Sequence, residues 1–87
     1  MTRYFFDLHD SADGVFNDLE GQDLATDELA RVQAALTLAE IARDCLPDDS
    51  SPRDLIVVVR TDAHGPLLET RLHWETHHLE GQTGELP

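Results

Sequence analysis

The sequence contains a single cysteine, Cys45, and no long apolar run. One cysteine excludes an internal disulfide. The longest apolar run, at 55–59, is far shorter than the roughly 20 residues of a membrane-spanning helix. Residues 1–7 also lack the apolar segment of a secretory signal peptide. We therefore predict a reducing, cytoplasmic location.

Basic residues are also scarce, because 6 Lys and Arg stand against 18 Asp and Glu, which gives a formal charge of −12. Nucleic acids and anionic membranes are bound through clusters of Lys and Arg, so neither is predicted as a partner. A basic protein or a divalent cation is compatible with this surface. The charge is equally consistent with a role in solubility alone.

The length of 87 residues predicts one domain. Alternating apolar residues indicate strands, and a segment rich in Ala and Leu without Gly or Pro indicates a helix. Thr26 is predicted to cap the start of that helix, and Pro47 to end it. In chain order the predicted elements are strands 3–9 and 15–18, a connector 19–25, a helix 27–45, and strands 55–59 and 67–77.

This order of elements, ββαββ, predicts an α+β fold. We expect a two-layer sandwich, in which a four-stranded antiparallel sheet carries the helix on one face. The most hydrophobic strand, 55–59, is expected in the middle of the sheet. The domain is predicted to span residues 1–78. Residues 79–87 contain two glycines and no apolar pattern, and are predicted to be disordered.

The predicted helix has more apolar surface than one sheet can cover. The face expected to contact the sheet is formed by Leu29, Val32, Ala35, Leu36, Ala39, Ala42 and Leu46. A second stripe is expected to face outward as an interaction surface, formed by Ala34, Leu38, Ile41 and Cys45. Either the loops around Leu19, Leu24 and Pro47 or the terminal segments cover this stripe, or it forms a homodimer contact. An exposed edge strand offers a second route to dimerisation.

The end of the first predicted strand carries a first group of candidate residues. Asp7 and His9 project from the same face, where a carboxylate could orient an imidazole, and Asp10 follows them. No nucleophile accompanies them in the sequence. The acidic segment 10–23 lacks the ligand spacing of a calcium-binding loop.

His73, Glu75 and His77 form a second candidate group on one face of the last predicted strand. Two histidines four residues apart on a strand are roughly 13 Å apart, which is too far for one metal ion. The sequence therefore predicts no catalytic residue, metal site or cofactor. A metal-dependent enzyme that uses Asp7 and His9, or His73 and His77, is kept as an alternative.

The opening residues Arg3-Tyr4-Phe5-Phe6-Asp7-Leu8-His9-Asp10 resemble a family of small alphaproteobacterial proteins that begin with a RYFFDxHDG-type signature and have no assigned function. The resemblance continues through 18–21, 39–44 and 56–60, with Ser11 where the family often has glycine. The family has no accepted catalytic residues, so the resemblance implies none. A weaker similarity to HicB-type antitoxins, which share the hairpin and the acidic connector before a helix, implies a basic protein partner.

The second apolar stripe and the lack of a catalytic grouping lead to one main hypothesis. The chain is predicted to be a non-enzymatic protein-interaction module that self-associates. Binding of a basic protein, as in the HicB-type antitoxins, is the first alternative.

Overall fold

The computed structural model describes residues 1–48 and 51–79. Within them it contains one α-helix and an antiparallel sheet, so the protein belongs to the α+β class. The elements in chain order are β1 (Thr2–Asp10), β2 (Gly14–Phe16), β3 (Gln22–Leu24), α1 (Asp27–Cys45), a 3-10 turn (Leu46–Asp48), β4 (Arg53–Thr61) and β5 (Gly65–Trp74).

The sheet has the order β2–β1–β4–β5, and β3 lies beside β1 as well. The long strand β1 pairs with β4 along one side. On its other side, β3 pairs with its first residues and β2 with its last. The prediction of a plain connector at 19–25 is therefore incomplete, because a strand of three residues is too short to show an alternating pattern.

Gly21 brings β3 back against β1. It has φ of +73°, a conformation that glycine adopts without steric cost. A Cβ atom at this position would lie 2.8 Å from the carbonyl oxygen of Tyr4. The chain can approach β1 this closely only because residue 21 has no side chain.

The prediction that 55–59 lies centrally is confirmed, since β4 is hydrogen-bonded to β1 on one side and to β5 on the other. Its alternate residues Leu55, Val57 and Val59 are almost fully buried on the face that α1 covers. Ile56 and Val58 point to the opposite face and are half-buried. The continuous apolar run thus serves one well-covered face and one partly covered face.

The predicted bounds of the helix are confirmed at Asp27–Cys45. Thr26 caps its start, because its side-chain oxygen accepts a hydrogen bond of 3.1 Å from the backbone N–H of Leu29. The Tyr4 hydroxyl donates to the carboxylate of Asp27 at 2.5 Å and so ties the helix start to β1. This hydrogen bond to Asp27 raises the pKa of Tyr4.

The last strand ends earlier than predicted, at Trp74 instead of residue 77. The predicted disorder of 79–87 falls outside the described residues, apart from Leu79, which is exposed. Within the described part of the chain, no helix combines the length and the hydropathy needed to cross a bilayer.

Candidate interaction surface

The side of α1 that packs on the sheet carries mostly small apolar side chains. Ala30 and Ala34 are fully buried and Leu38 is 6% exposed, all against the core side chains of β4. The prediction that Ala34 and Leu38 belong to an outward stripe is therefore wrong. The remaining two residues of that stripe, Ile41 and Cys45, are half-buried.

The sequence pattern alone could not decide which side of α1 faces the sheet, because apolar residues occur nearly all around the helix. The bulk of the core comes from Leu55, Val57 and Val59 of β4. Facing alanines let the helix backbone approach these side chains closely, whereas a row of leucines would hold it away. The complementary sizes on the two layers set the rotation of the helix.

The opposite side of α1 carries large apolar residues that remain in contact with solvent. Leu29, Val32 and Leu36 are 49%, 41% and 56% exposed, and their spacing places them in one row along the helix. We call these three residues the outer stripe. They belong to the face that was expected to contact the sheet, so that expectation is wrong for these three residues. It is confirmed for Leu46, which is buried in the core, and for Ala42, which packs against it.

An apolar groove of about 670 Å³ lies beside the C-terminal half of α1, between the helix and β5. We call it the β5 groove. Its lining is formed by Ala39, Ala42, Arg43, Leu46, Pro47, Leu72 and Trp74. Among these described residues, Arg43 is the single charged one, and it is cationic. The described lining of the groove is thus apolar and includes no carboxylate.

The outer rim of the β5 groove is the edge of the sheet, because β5 ends the strand order. On the face of β5 that points away from α1, Glu69, Arg71 and His73 are exposed. The guanidinium of Arg71 lies 3.2 Å from the carboxylate of Glu69. The edge therefore offers charges of both signs in alternation.

The face of the sheet opposite α1 holds an ion-pair cluster that the sequence reasoning missed. The carboxylate of Asp7 accepts hydrogen bonds from Arg60 at 2.7 Å and from the backbone N–H of Asp18 at 2.8 Å. Arg60 also donates to the carbonyl oxygen of Asp18 at 3.0 Å. Its guanidinium lies 4.5 Å from the centre of the Phe5 ring. The cluster fastens the loop after β2 onto the sheet.

The carboxylate of Asp18 organises the same loop. It accepts backbone N–H groups from Phe6, Glu20 and Gly21, each at 3.1 Å. Burial alone would raise the pKa of Asp18, but these N–H donors and the nearby Arg60 lower it below its ordinary value. The side chain thus acts as an ionised acceptor that joins β1 to the turn before β3.

A second ion pair closes one end of the core. Arg53 donates to both carboxylate oxygens of Asp10, at 3.1 and 2.6 Å, and reaches Asp13 at 3.3 Å. This pairing with Arg53 lowers the pKa of Asp10. Asp7 and Asp10 therefore point to opposite faces of β1, each toward its own arginine, while His9 is exposed. The described contacts do not bring the first candidate group together.

The second candidate group is partly assembled on the exposed face of β5 and just beyond it. His73 contacts Asp54 at 2.8 Å and Glu75 at 3.4 Å, and Glu75 also contacts His77 at 3.2 Å. The carboxylates of Asp54 and then Glu75 raise the pKa of His73. Among the described residues, no three or more Cys, His, Asp and Glu side chains are arranged to hold a metal ion.

Comparison with known proteins gives one match. The family described as Domain of unknown function (DUF6894) matches residues 3–73, a range that reaches every strand and the helix. This agrees with the resemblance to a family without assigned function. Neither the comparison with curated proteins nor that with solved structures returns a match.

Proposed function

The chain belongs to the DUF6894 domain family of unknown function, and we propose that it is a non-enzymatic protein-interaction module that binds a second copy of itself. The β5 groove carries this proposal. This groove is open and apolar, has a volume of about 670 Å³, and lies next to an edge strand. A domain of this size buries roughly 60–65% of the surface that its unfolded chain exposes, a smaller share than larger domains bury, so covering this groove would add to its stability.

The distribution of charge supports a second copy as the occupant of the groove. Two chains of charge −12 repel each other, so their contact must avoid the acidic parts of the surface. The β5 groove meets this requirement, because the described residues of its lining include one arginine, Arg43, and no carboxylate. Apolar contact at this point gains from burial without bringing like charges together.

The contacts of the acidic residues support a non-enzymatic role. Asp7, Asp10 and Asp18 are held by arginine side chains or backbone N–H groups. They are thus engaged in holding the fold. A reducing compartment such as the cytoplasm suits the single free thiol of Cys45.

Sedimentation velocity over a range of concentrations tests the proposal. We expect the wild-type chain to form dimers and Ala39→Glu, which places a carboxylate in the β5 groove, to shift the equilibrium toward monomer. Gln33→Glu is the matched control, because it adds the same charge on the half-buried flank of α1 that carries Gln33 and Thr37. Circular dichroism verifies that both variants are folded.

The proposal is wrong if the wild-type chain stays monomeric at every concentration. It is also wrong if Ala39→Glu and Gln33→Glu dimerise as strongly as the wild type, because the groove would then lie outside any contact.

A further inference from the structure

We infer that two copies join through their β5 edges, antiparallel about a twofold axis at Thr70, to form one continuous sheet. This inference rests on the proposed self-association and adds its geometry. β5 is ten residues long and ends the strand order of the sheet. Along 67–73, no described strand occupies its outer side. An edge strand of this length presents a row of backbone N–H and C=O groups that a second strand can pair with.

The charges on β5 select the register of the pairing. With Thr70 on the twofold axis, Glu69 lies opposite the partner's Arg71, and Arg71 lies opposite the partner's Glu69. Opposite charges directly across two antiparallel strands are stabilising, and like charges are destabilising. An axis at residue 69 or at residue 71 would instead place two glutamates or two arginines opposite each other.

The same register pairs apolar residues on the helix face of β5. Leu68 then lies opposite the partner's Leu72, and Leu72 lies opposite the partner's Leu68. Both side chains are half-buried and pack at the margin of the core. The register that satisfies the charges on one face therefore also extends the apolar surface on the other.

The position of α1 adds a second contact between the copies. Because α1 lies over β4 and β5, the twofold axis brings the two helices side by side on the same face of the joined sheet. Neighbouring strands are about 4.8 Å apart, so the helix axes would be about 10–14 Å apart, from the upper limit of the usual packing distance of about 8–10 Å to somewhat beyond it. The facing flank is built from the small residues Ala35, Ala39 and Ala42, and the partner's helix would cover the β5 groove.

Two variants that reverse the charge at residue 69 or residue 71 test this register. Glu69→Arg places two arginines opposite each other across the axis, and Arg71→Glu places two glutamates there. We expect each variant alone to dimerise about tenfold more weakly than the wild type. An equimolar mixture of the two variants is expected to recover the wild-type affinity, because each strand then meets one of opposite charge. Sedimentation equilibrium measures both affinities.

Arg3→Glu and Asp23→Arg are the matched controls. They make the same changes of charge at an exposed pair on the opposite margin of the sheet, whose atoms lie 3.4 Å apart. We expect each control to dimerise as strongly as the wild type, alone and in the mixture. A loss of affinity in the controls equal to that at β5 would contradict the register, since net charge would then explain both.

A disulfide measures the position of the axis directly. Opposed residues in antiparallel strands have Cα atoms about 4.5–5.5 Å apart, within the range of a disulfide. In a Cys45→Ala background, Thr70→Cys is expected to form a cross-linked dimer on mild oxidation, whereas Ala63→Cys, in the exposed turn before β5, is not.

The outcomes separate the two proposals. If the wild-type chain is monomeric, both fail. If it dimerises, but the β5 variants show neither loss nor recovery and Thr70→Cys does not cross-link, then the edge pairing is wrong while self-association stands. Recovery in the mixture together with the cross-link supports the inferred register.

Discussion

Replacing Asp18 with alanine removes the acceptor of three backbone N–H groups. Two of these groups are partly shielded from solvent, so they cannot freely form a hydrogen bond to water instead. The N–H groups of Phe6 and Gly21 are partly buried, whereas that of Glu20 is exposed. A hydrogen bond to a charged group contributes about 1.5–3 kcal/mol. Counting only the two partly buried donors, we expect Asp18→Ala to lower the free energy of unfolding by about 3–6 kcal/mol.

Asp18→Asn separates the loss at the N–H of Phe6 from the loss at the other two N–H groups. Asp18→Asn keeps one oxygen for the N–H groups of Glu20 and Gly21, but it turns an amide N–H toward the N–H of Phe6. We therefore expect about half the loss, roughly 1.5–3 kcal/mol. Domains of this kind have about 5–15 kcal/mol in total, so Asp18→Asn should stay folded, and Asp18→Ala should lose a large fraction of the total.

Urea unfolding followed by the fluorescence of Trp74, the only tryptophan, measures these losses. Glu40→Ala removes the same charge from an exposed site on α1 and is expected to change stability by less than about 0.5 kcal/mol. The acceptor role of Asp18 is refuted if Asp18→Ala is as stable as Glu40→Ala.

The pH dependence of stability adds an independent check on Asp18. Because the pKa of Asp18 is lowered in the folded state, its contribution is present above the ordinary pKa of an aspartate. That contribution is lost as the pH falls through the folded-state pKa. The stability of Asp18→Ala should therefore fall less steeply than that of the wild type between about pH 5 and pH 2.

Two further predictions concern Gly21 and His73. Gly21→Ala should destabilise the fold by about 2 kcal/mol or more in urea unfolding, and clearly more than Gly14→Ala. Both glycines have positive φ, but a Cβ atom meets close neighbours only at Gly21, so equal losses would contradict the close approach of β3. His73 should titrate by NMR above the ordinary pKa, and Asp54→Asn should bring it back toward that value. Its contribution to stability is full below the ordinary histidine pKa and is lost as the pH rises through the folded-state pKa, so an unchanged titration in Asp54→Asn would contradict the pairing.

The elements that could be predicted from the sequence are those set by local signals. The bounds of α1 follow from Thr26 and from a stretch free of Gly and Pro, and the central place of β4 follows from its continuous β-branched run. The strand β3 was not predictable in this way. It exists because Gly21 and Asp18 hold three residues against β1, and three residues show no periodicity.

The candidate site was less predictable, because it depends on contacts between distant residues. Arg53 and Asp10 are 43 positions apart, and Arg60 and Asp7 are 53 apart. Single-sequence reasoning treated the aspartates as exposed or as parts of a site, because it could not pair them with their arginines. The rotation of α1 about its axis was predicted wrongly for a similar reason, since it depends on the sizes of side chains in the sheet.

The two margins of the sheet differ in what can be added to them. Beyond β1, the sheet stops at β2 and β3, two pieces of three residues each with a loop between them. Short, interrupted strands offer a poor template for another chain. Among the described strands, only β5 offers a margin long enough to pair with another chain, and a twofold pairing there would occupy this margin in both copies. Such an assembly would stop at two chains and would not grow into a fibre.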